Sequence, residues 1–209
     1  MTGSGYDVMN LEIFLEEHPY IDYSAPNISA KAEELFSGLS SDVEKAKIAY
    51  EFVRDKIPHS FDIGAFVITS KASDVLEKKT GICHAKANLL AALLRSAGIP
   101  AGFCYQHLTL LDDDSAGYCV HCYNAVFLNK HWIFLDARCN TNGINAQFSL
   151  GEPVLAFICR KQYDEYQWKG IYASPQRNVM RMLDSSATID DVKKNLQEFL
   201  EGEPDISDW

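Results

Sequence analysis

Apolar residues in the first hundred positions recur at three- and four-residue intervals, and this spacing predicts helices. Ala32, Leu35, Phe36 and Leu39 mark a helix over Ser29 to Leu39. Val43, Ala46, Ala49, Tyr50, Val53 and Ile57 mark a second. Ser41-Asp42-Val43-Glu44 fits a capping box at its start, and Pro58 stops it. A short helix follows over Ala72 to Lys79, with Ser73 as its cap and Thr80-Gly81 as its break. Cys83 opens the next helix, which carries Ala87, Leu90, Leu94 and Ala97 on one face and Leu89 and Leu93 beside it. Gly98 suits the left-handed position after a helix, and Pro100 bars continuation.

After Ala101 the apolar pattern shortens to strand-length runs. Ala101 to Leu111, Tyr118 to Leu128 and His131 to Asp136 read as strands. The acidic turn Asp112–Gly117 and the tight Asn129-Lys130 turn join them into an antiparallel meander. Val154 to Cys159 reads as a further strand, and Thr188 to Leu200 as a closing amphipathic helix bearing Val192, Leu196, Phe199 and Leu200. Gln162 to Asn178 is aromatic and polar and follows no clear period. Helices first and an antiparallel sheet second make an α+β chain, expected to be a single domain over residues 1–209.

Composition narrows the function classes. Of 209 residues, 47% are hydrophobic and 23% charged, enough for an ordinary globular core. With 19 basic and 29 acidic side chains the formal charge is −10. That argues against a nucleic-acid or anionic-membrane partner and is compatible with a neutral or cationic substrate. No apolar run reaches the roughly 18 residues of a membrane-spanning helix. Met1 to Asp7 lacks the basic and apolar stretches of a signal peptide, so a cytoplasmic protein is expected. Its six cysteines would then be reduced thiols.

One of those thiols has a special position. A helix N-terminus gathers unpaired N–H groups and partial positive charge, which lowers the pKa of a cysteine such as Cys83. Most free cysteines are simply small buried hydrophobes, so position alone does not make a nucleophile. A nucleophile needs a base within hydrogen-bond reach, and the base needs an orienter. If Asn129-Lys130 sets residue 128 opposite 131, His121 falls opposite about 138. Asp136 is then a diagonal neighbour of His121 on the same face. Cys83, His121 and Asp136 thus form a plausible nucleophile, base and orienter.

Other chemistries fit less well. Cys104-x-x-His107 and Cys119-x-x-Cys122 have zinc-like spacing, but on a strand each pair faces opposite sides. Asp112-Asp113-Asp114 lacks the alternating ligands of a calcium loop. No metal and no cofactor are expected.

The stretch Gly81-Ile82-Cys83 through Arg95-Ser96-Ala97-Gly98-Ile99-Pro100-Ala101 resembles the core motif of the transglutaminase-like superfamily. His121-Cys122-Tyr123-Asn124-Ala125-Val126 resembles the second motif, and Trp132-Ile133-Phe134-Leu135-Asp136-Ala137 the third. The likeness covers about residues 45 to 140. It implies a papain-like cysteine-proteinase fold, with Cys83 as nucleophile, His121 as general base and then acid, and Asp136 as orienter. Members of that superfamily catalyse transglutamination, peptide or amide hydrolysis, or glycan removal from asparagine; others are inactive binding or scaffold modules. Tyr123 stands where the family usually has tryptophan, and Ala125 where it has glutamate. The chain is most similar to small stand-alone bacterial members. The resemblance implies a peptide, protein or small amide as substrate; it leaves the oligomeric state open.

An oxyanion formed at the attacked carbonyl would take the Cys83 backbone N–H as one donor. His59, in the loop after the second helix, is a candidate for the other, though a loop histidine is equally often just exposed to water. Gln106 on the first strand is a weaker candidate, since a glutamine there is more often on the surface.

Overall fold

A computed structural model describes residues 11–111, 113–202 and 206–207. Helices α1 (Pro26–Phe36), α2 (Asp42–Lys56), α3 (Ala72–Lys78) and α4 (Cys83–Ser96) come first. Strands β1 (Ala101–Thr109), β2 (Tyr118–Leu128) and β3 (His131–Leu135) follow. Strand β4 (Tyr166–Trp168), helices α5 (Arg177–Ser185) and α6 (Ile189–Lys194) and the short β5 (Ile206–Ser207) complete the order. The sheet runs β3-β2-β1-β4-β5, with every pair antiparallel. This is the expected α+β class.

Helix α4 lies at the centre. Every residue from His84 to Arg95 is buried, because α1, α2 and α3 pack on one side and β1 and β2 on the other. A helix covered on all sides carries apolar residues all round, as Leu89, Leu90, Leu93 and Leu94 do. Its end is the expected one. Gly98 has φ +75°, its N–H donates to the Arg95 carbonyl, and the Ile99 N–H donates to Leu94. Buried Arg95 fixes the exit by donating to the carbonyls of Ala101, Glu16 and Ala173. Asn124 on β2 donates to the carbonyls of Ala87 and Gly102, joining helix to sheet.

The β2–β3 hairpin has the predicted register. Leu128 faces His131, and Asn129 and Lys130 both have positive φ, as a tight primed turn demands. Tyr123 and Ala125 pack with Cys104 against Trp132, Phe134, Leu155 and Ile171, so the two departures from the family pattern lie in a buried cluster and do not line the cavity of Cys83. Cys104 belongs to this cluster, while His107 stacks between Tyr118 and Tyr166. Cys119 lines the cavity of Cys83, while Cys122 enters the α4 core. Each zinc-spaced pair therefore diverges. Asp113 accepts from the Ser115 N–H in a short turn; Asp112 lies outside the described residues.

Several boundaries differ from expectation. Helix α1 starts at Pro26, whose fixed φ suits the first helical position, and stops before Gly38 with φ +76°. Lys71, not Ser73, is the α3 N-cap; Asp22 accepts from both the backbone N–H and the hydroxyl of Ser73. At α2, Ser41 accepts from the Glu44 N–H at 3.5 Å, one half of the expected box. Helix α6 ends at Lys194, because Asn195 turns its amide back onto the Asp191 carbonyl. The chain beyond runs irregularly, and its carbonyls serve neighbours: Gln197 accepts from Val120 N–H, Glu198 bonds the His107 ring, and Phe199 accepts from Asn178.

The stretch Val154 to Cys159 is not a strand of the sheet. One isolated bridge pairs Gln147 with Val154, and the rest is an irregular strap. Within Gln162–Asn178, Tyr166–Trp168 extends the sheet and Arg177 begins α5.

Candidate active site

Cys83 is the first residue of α4, and Ile82, in extended conformation, is its N-cap. Gly81 lets the chain arrive there closely. A Cβ on Gly81 would lie 3.1 Å from Ala85 Cβ and 3.2 Å from Thr69 Oγ1. Gly81 also bridges to His59, and its carbonyl accepts from Ser60 N–H. The turn before Cys83 is therefore stitched to the His59 loop.

On the other side, β2 delivers His121 and the end of β3 delivers Asp136. His121 Nε2 lies 2.8 Å from Asp136 Oδ2, and both side chains are buried, at 4% and 0% exposure. The diagonal pairing expected from the turn is realised. The remaining ring nitrogen, Nδ1, has no partner in Asp136, and Cys83 lines the same cavity as His121, which favours its thiolate. Asp136 also accepts from the backbone N–H groups of Arg138 and Ala156, at 3.0 and 3.1 Å.

Electrostatics favours the charged forms of both groups. Burial by itself would raise the pKa of Cys83, but the His121 charge, its hydrogen bond and one from the Cys122 backbone outweigh burial and hold the thiol below its ordinary value. For His121, burial would lower the pKa, yet Asp136 and Cys83 push it up to about 10. Asp136 resists its own burial through His121 and the two backbone donors, and stays below the usual carboxylate range. Cys104, Cys119 and Cys159 go the opposite way: burial pushes the first two up to about 12 and Cys159 to about 11.

His59 joins the group. Its Nε2 sits 3.2 Å from the Cys83 backbone N, its ring is 5% exposed, and burial pushes its pKa down to about 3. It is therefore neutral and buried rather than bathed in water. Gln106 is also buried, against the expectation of a surface glutamine. It lies opposite His121 on the neighbouring strand, but its amide donates to the Phe157 carbonyl and Cys159 Sγ. Gln106 lines an adjacent cavity, and it is not among the residues lining that of Cys83.

Two braces hold the His59 and Asp136 loops together. Arg138 forms a two-pronged ion pair with Asp62, at 2.5 and 2.7 Å, and Thr141 donates to the same carboxylate. Deeper in, fully buried Lys86 donates to the Ile57 carbonyl and to Cys139 Sγ. Lys86 lies three residues after Cys83, so the helix that Cys83 opens fastens both loops. No periodicity in the sequence marks Lys86, although a lysine among buried helix positions is a signal in itself.

The strap supplies the remaining wall. Ala156 bonds Asp136, and the Phe157 ring meets the His121 ring edge-on at 5.0 Å. The cavity around Cys83 has a volume of about 720 Å³. Both strap residues escaped prediction because their roles rest on a backbone N–H and a ring edge, which no residue pattern signals.

Comparison with known proteins agrees with this geometry. Residues 29–137 match the model of the transglutaminase-like superfamily. That is more than half of the chain, which therefore belongs to the transglutaminase-like superfamily. A solved structure named "Putative Cysteine Protease from Cytophaga hutchinsonii" superposes with a TM-score of 0.51 at 19% identity, over 65% of this chain and 45% of that one. The chain thus spans less than half the length of that protein, and the likeness is one of fold. A "putative protease" from Parabacteroides distasonis gives 0.41 at 20% identity (64% and 26% of the two chains), and a "TGase" 0.37 at 17% (72% and 37%). No curated protein matches the chain. Among the described residues no helix is long and apolar enough to cross a membrane.

Proposed function

We propose that the protein is a cysteine enzyme acting on a carboxamide or peptide carbonyl through Cys83, His121 and Asp136. The observation that carries the proposal is the buried His121–Asp136 hydrogen bond beside a cavity that His121 shares with a thiol at a helix N-terminus. The Cys83 thiolate attacks the carbonyl carbon, and the carbonyl electrons move to oxygen. His121 gives its proton to the leaving amine as the C–N bond breaks. Water then attacks the thioester as His121 takes one of its protons, and the C–S bond breaks to release the acid and restore the Cys83 thiolate and the His121 imidazolium. Hydrolysis is preferred over transfer to an amine; in the latter case the amine replaces water in the same step.

His59 fits the second oxyanion donor. A neutral imidazole has one N–H and one acceptor nitrogen. Its Nδ1 faces the Phe61 N–H at 3.3 Å, and its Nε2 faces the Cys83 N–H. Both cannot accept. In the structure the Cys83 N–H is aimed at Nε2 as acceptor; when Nδ1 instead accepts from Phe61, Nε2 carries hydrogen and the His59 and Cys83 N–H groups both need an acceptor. A developing oxyanion supplies one.

The test is a screen of wild type against Cys83→Ala on peptides, glutamine amides and glycopeptides. Turnover lost in the variant supports the proposal. An iodoacetamide rate at Cys83 no faster than at Cys104 or Cys159 would instead support an inactive papain-like binding module.

A further inference from the structure

Apolar side chains line much of the cavity around Cys83. Leu108, Leu110 and Leu111 come from the end of β1 and the residues after it, Phe157 and Ile158 from the strap, Phe61 from the His59 loop, and Leu196 from beyond α6. Four separate stretches of chain thus converge on one space. Three of these side chains stand far out of the core: Ile158 is 87% exposed, Leu111 60% and Leu110 41%. Single exposed apolar side chains are common, but several lining one cavity mark a binding surface.

The charges in the same cavity are already matched. Arg138 is held by Asp62, and Arg160 and Glu165 pair with each other at 2.8 Å. Glu165 also accepts from Thr109. His59 and His84 are neutral, pushed by burial to about 3 and about 4. Among the described lining residues, the Cys83–His121 pair, with its partner Asp136, is what remains to meet a reacting carbonyl. A charged substrate side chain would lose water and gain no partner here.

We propose that this cavity binds a peptide acyl donor carrying a bulky apolar side chain beside the attacked carbonyl. The proposal rests on the cysteine-enzyme reading and names its substrate class. A small amide attacked at Cys83 would leave Leu110, Leu111 and Ile158 uncovered. A peptide places its carbonyl at Cys83 and its neighbouring side chain against them. The volume of about 720 Å³ falls within the range of pockets that enclose such groups.

The experiment uses acetyl-dipeptidyl chloromethyl ketones, in which a thiolate displaces chloride and forms a thioether. Leu-Leu, Gly-Gly, Glu-Glu and Lys-Lys versions are compared by their rate of labelling at Cys83, with iodoacetamide as a reagent that needs no subsite. The Leu-Leu reagent is expected to react at least about tenfold faster than the other three. Leu111→Ser and Ile158→Ser, both exposed, should each cut that advantage by about fivefold or more when each variant's Leu-Leu rate is divided by its own iodoacetamide rate. Equal rates across the four reagents, or variants that keep the full preference, would overturn the proposal while the cysteine-enzyme reading stands. A slow iodoacetamide reaction at wild-type Cys83 would overturn both.

Discussion

Two regions meet at the candidate site and are held in different ways. Cys83, His121 and Asp136 sit on α4, on β2 and just past β3, elements whose inner faces are buried throughout. The strap from Val154 to Cys159 has one bridge to the rest of the chain and touches the site through a backbone N–H, a carbonyl and a ring edge. Packing fixes the first region, so its chemistry survives small losses at its edge. A few polar contacts fix the second, so it can tune the reaction but not create it. Substitutions in the two regions should therefore differ in size and in kind.

The largest effect belongs to the packed region. Cys83→Ala should lower turnover by about 10⁴-fold or more, since no other thiol replaces it. The charge state can be read without a substrate. With Cys83 held below its ordinary value and His121 pushed up to about 10, the thiolate–imidazolium pair is favoured over the two neutral groups. Iodoacetamide should therefore label Cys83 at about pH 6, where thiols with ordinary pKa near 8.5 fade. Cys104 and Cys119, at about 12, should stay silent. Equal labelling of all three would mean that the ion pair does not form.

Asp136→Asn should come next, with a loss on the order of 10³–10⁴-fold. His121 then loses the strongest influence that raises its pKa, while its burial remains. The alkaline limb of the rate profile should move down from about 10, and Cys83, facing a less charged ring, should become less acidic. Stability should change with a definite sign. The depressed Asp136 stabilises the wild-type fold above the ordinary carboxylate pKa near 4, and that contribution fades as pH falls through its folded value. The variant should lack this acid dependence in a urea titration.

Phe157→Ala tests the strap. It removes the ring that meets His121 edge-on but keeps the Ala156 N–H on Asp136. A drop of about tenfold in kcat/KM is expected, with Phe157→Leu recovering part of it. A loss as large as that of Asp136→Asn would mean that the strap is part of the frame, and the contrast between the two regions would collapse.

How much was legible follows the same division. The α4 boundaries, the β2 strand and the turn at Asn129-Lys130 follow from apolar spacing and from Gly98, because their side chains face a core. The His121–Asp136 contact follows from register alone. Buried Lys86 and the Asp62–Arg138 brace were missed because each joins loops far apart in sequence. The strap was misread as a strand because Val154, Leu155, Phe157 and Ile158 are apolar for a cavity, not for a sheet. The C-terminal stretch was read as helix through Leu200, although Gln197, Glu198 and Phe199 give their carbonyls to Val120, His107 and Asn178.

The smallest prediction concerns two helix caps. Ser41 sits in a stretch that matches a capping box, yet only its side chain accepts, from Glu44 N–H at 3.5 Å. Thr188 makes both halves: it accepts from Asp191 N–H at 3.1 Å, and the Asp191 carboxylate accepts from the Thr188 N–H at 2.9 Å. Thr188→Ala should then cost about 1 kcal/mol, and Ser41→Ala about 0.5 kcal/mol. Helix α6 packs Val192 against Val179 and Leu183 of α5, and Ile82 before the nucleophile belongs to the same cluster. Loosening α6 should therefore slow iodoacetamide labelling of Cys83 slightly, while loosening α2 at Ser41 should leave it unchanged. Equal thermal shifts with equal labelling rates would show that the C-terminal helices do not support the nucleophile's turn.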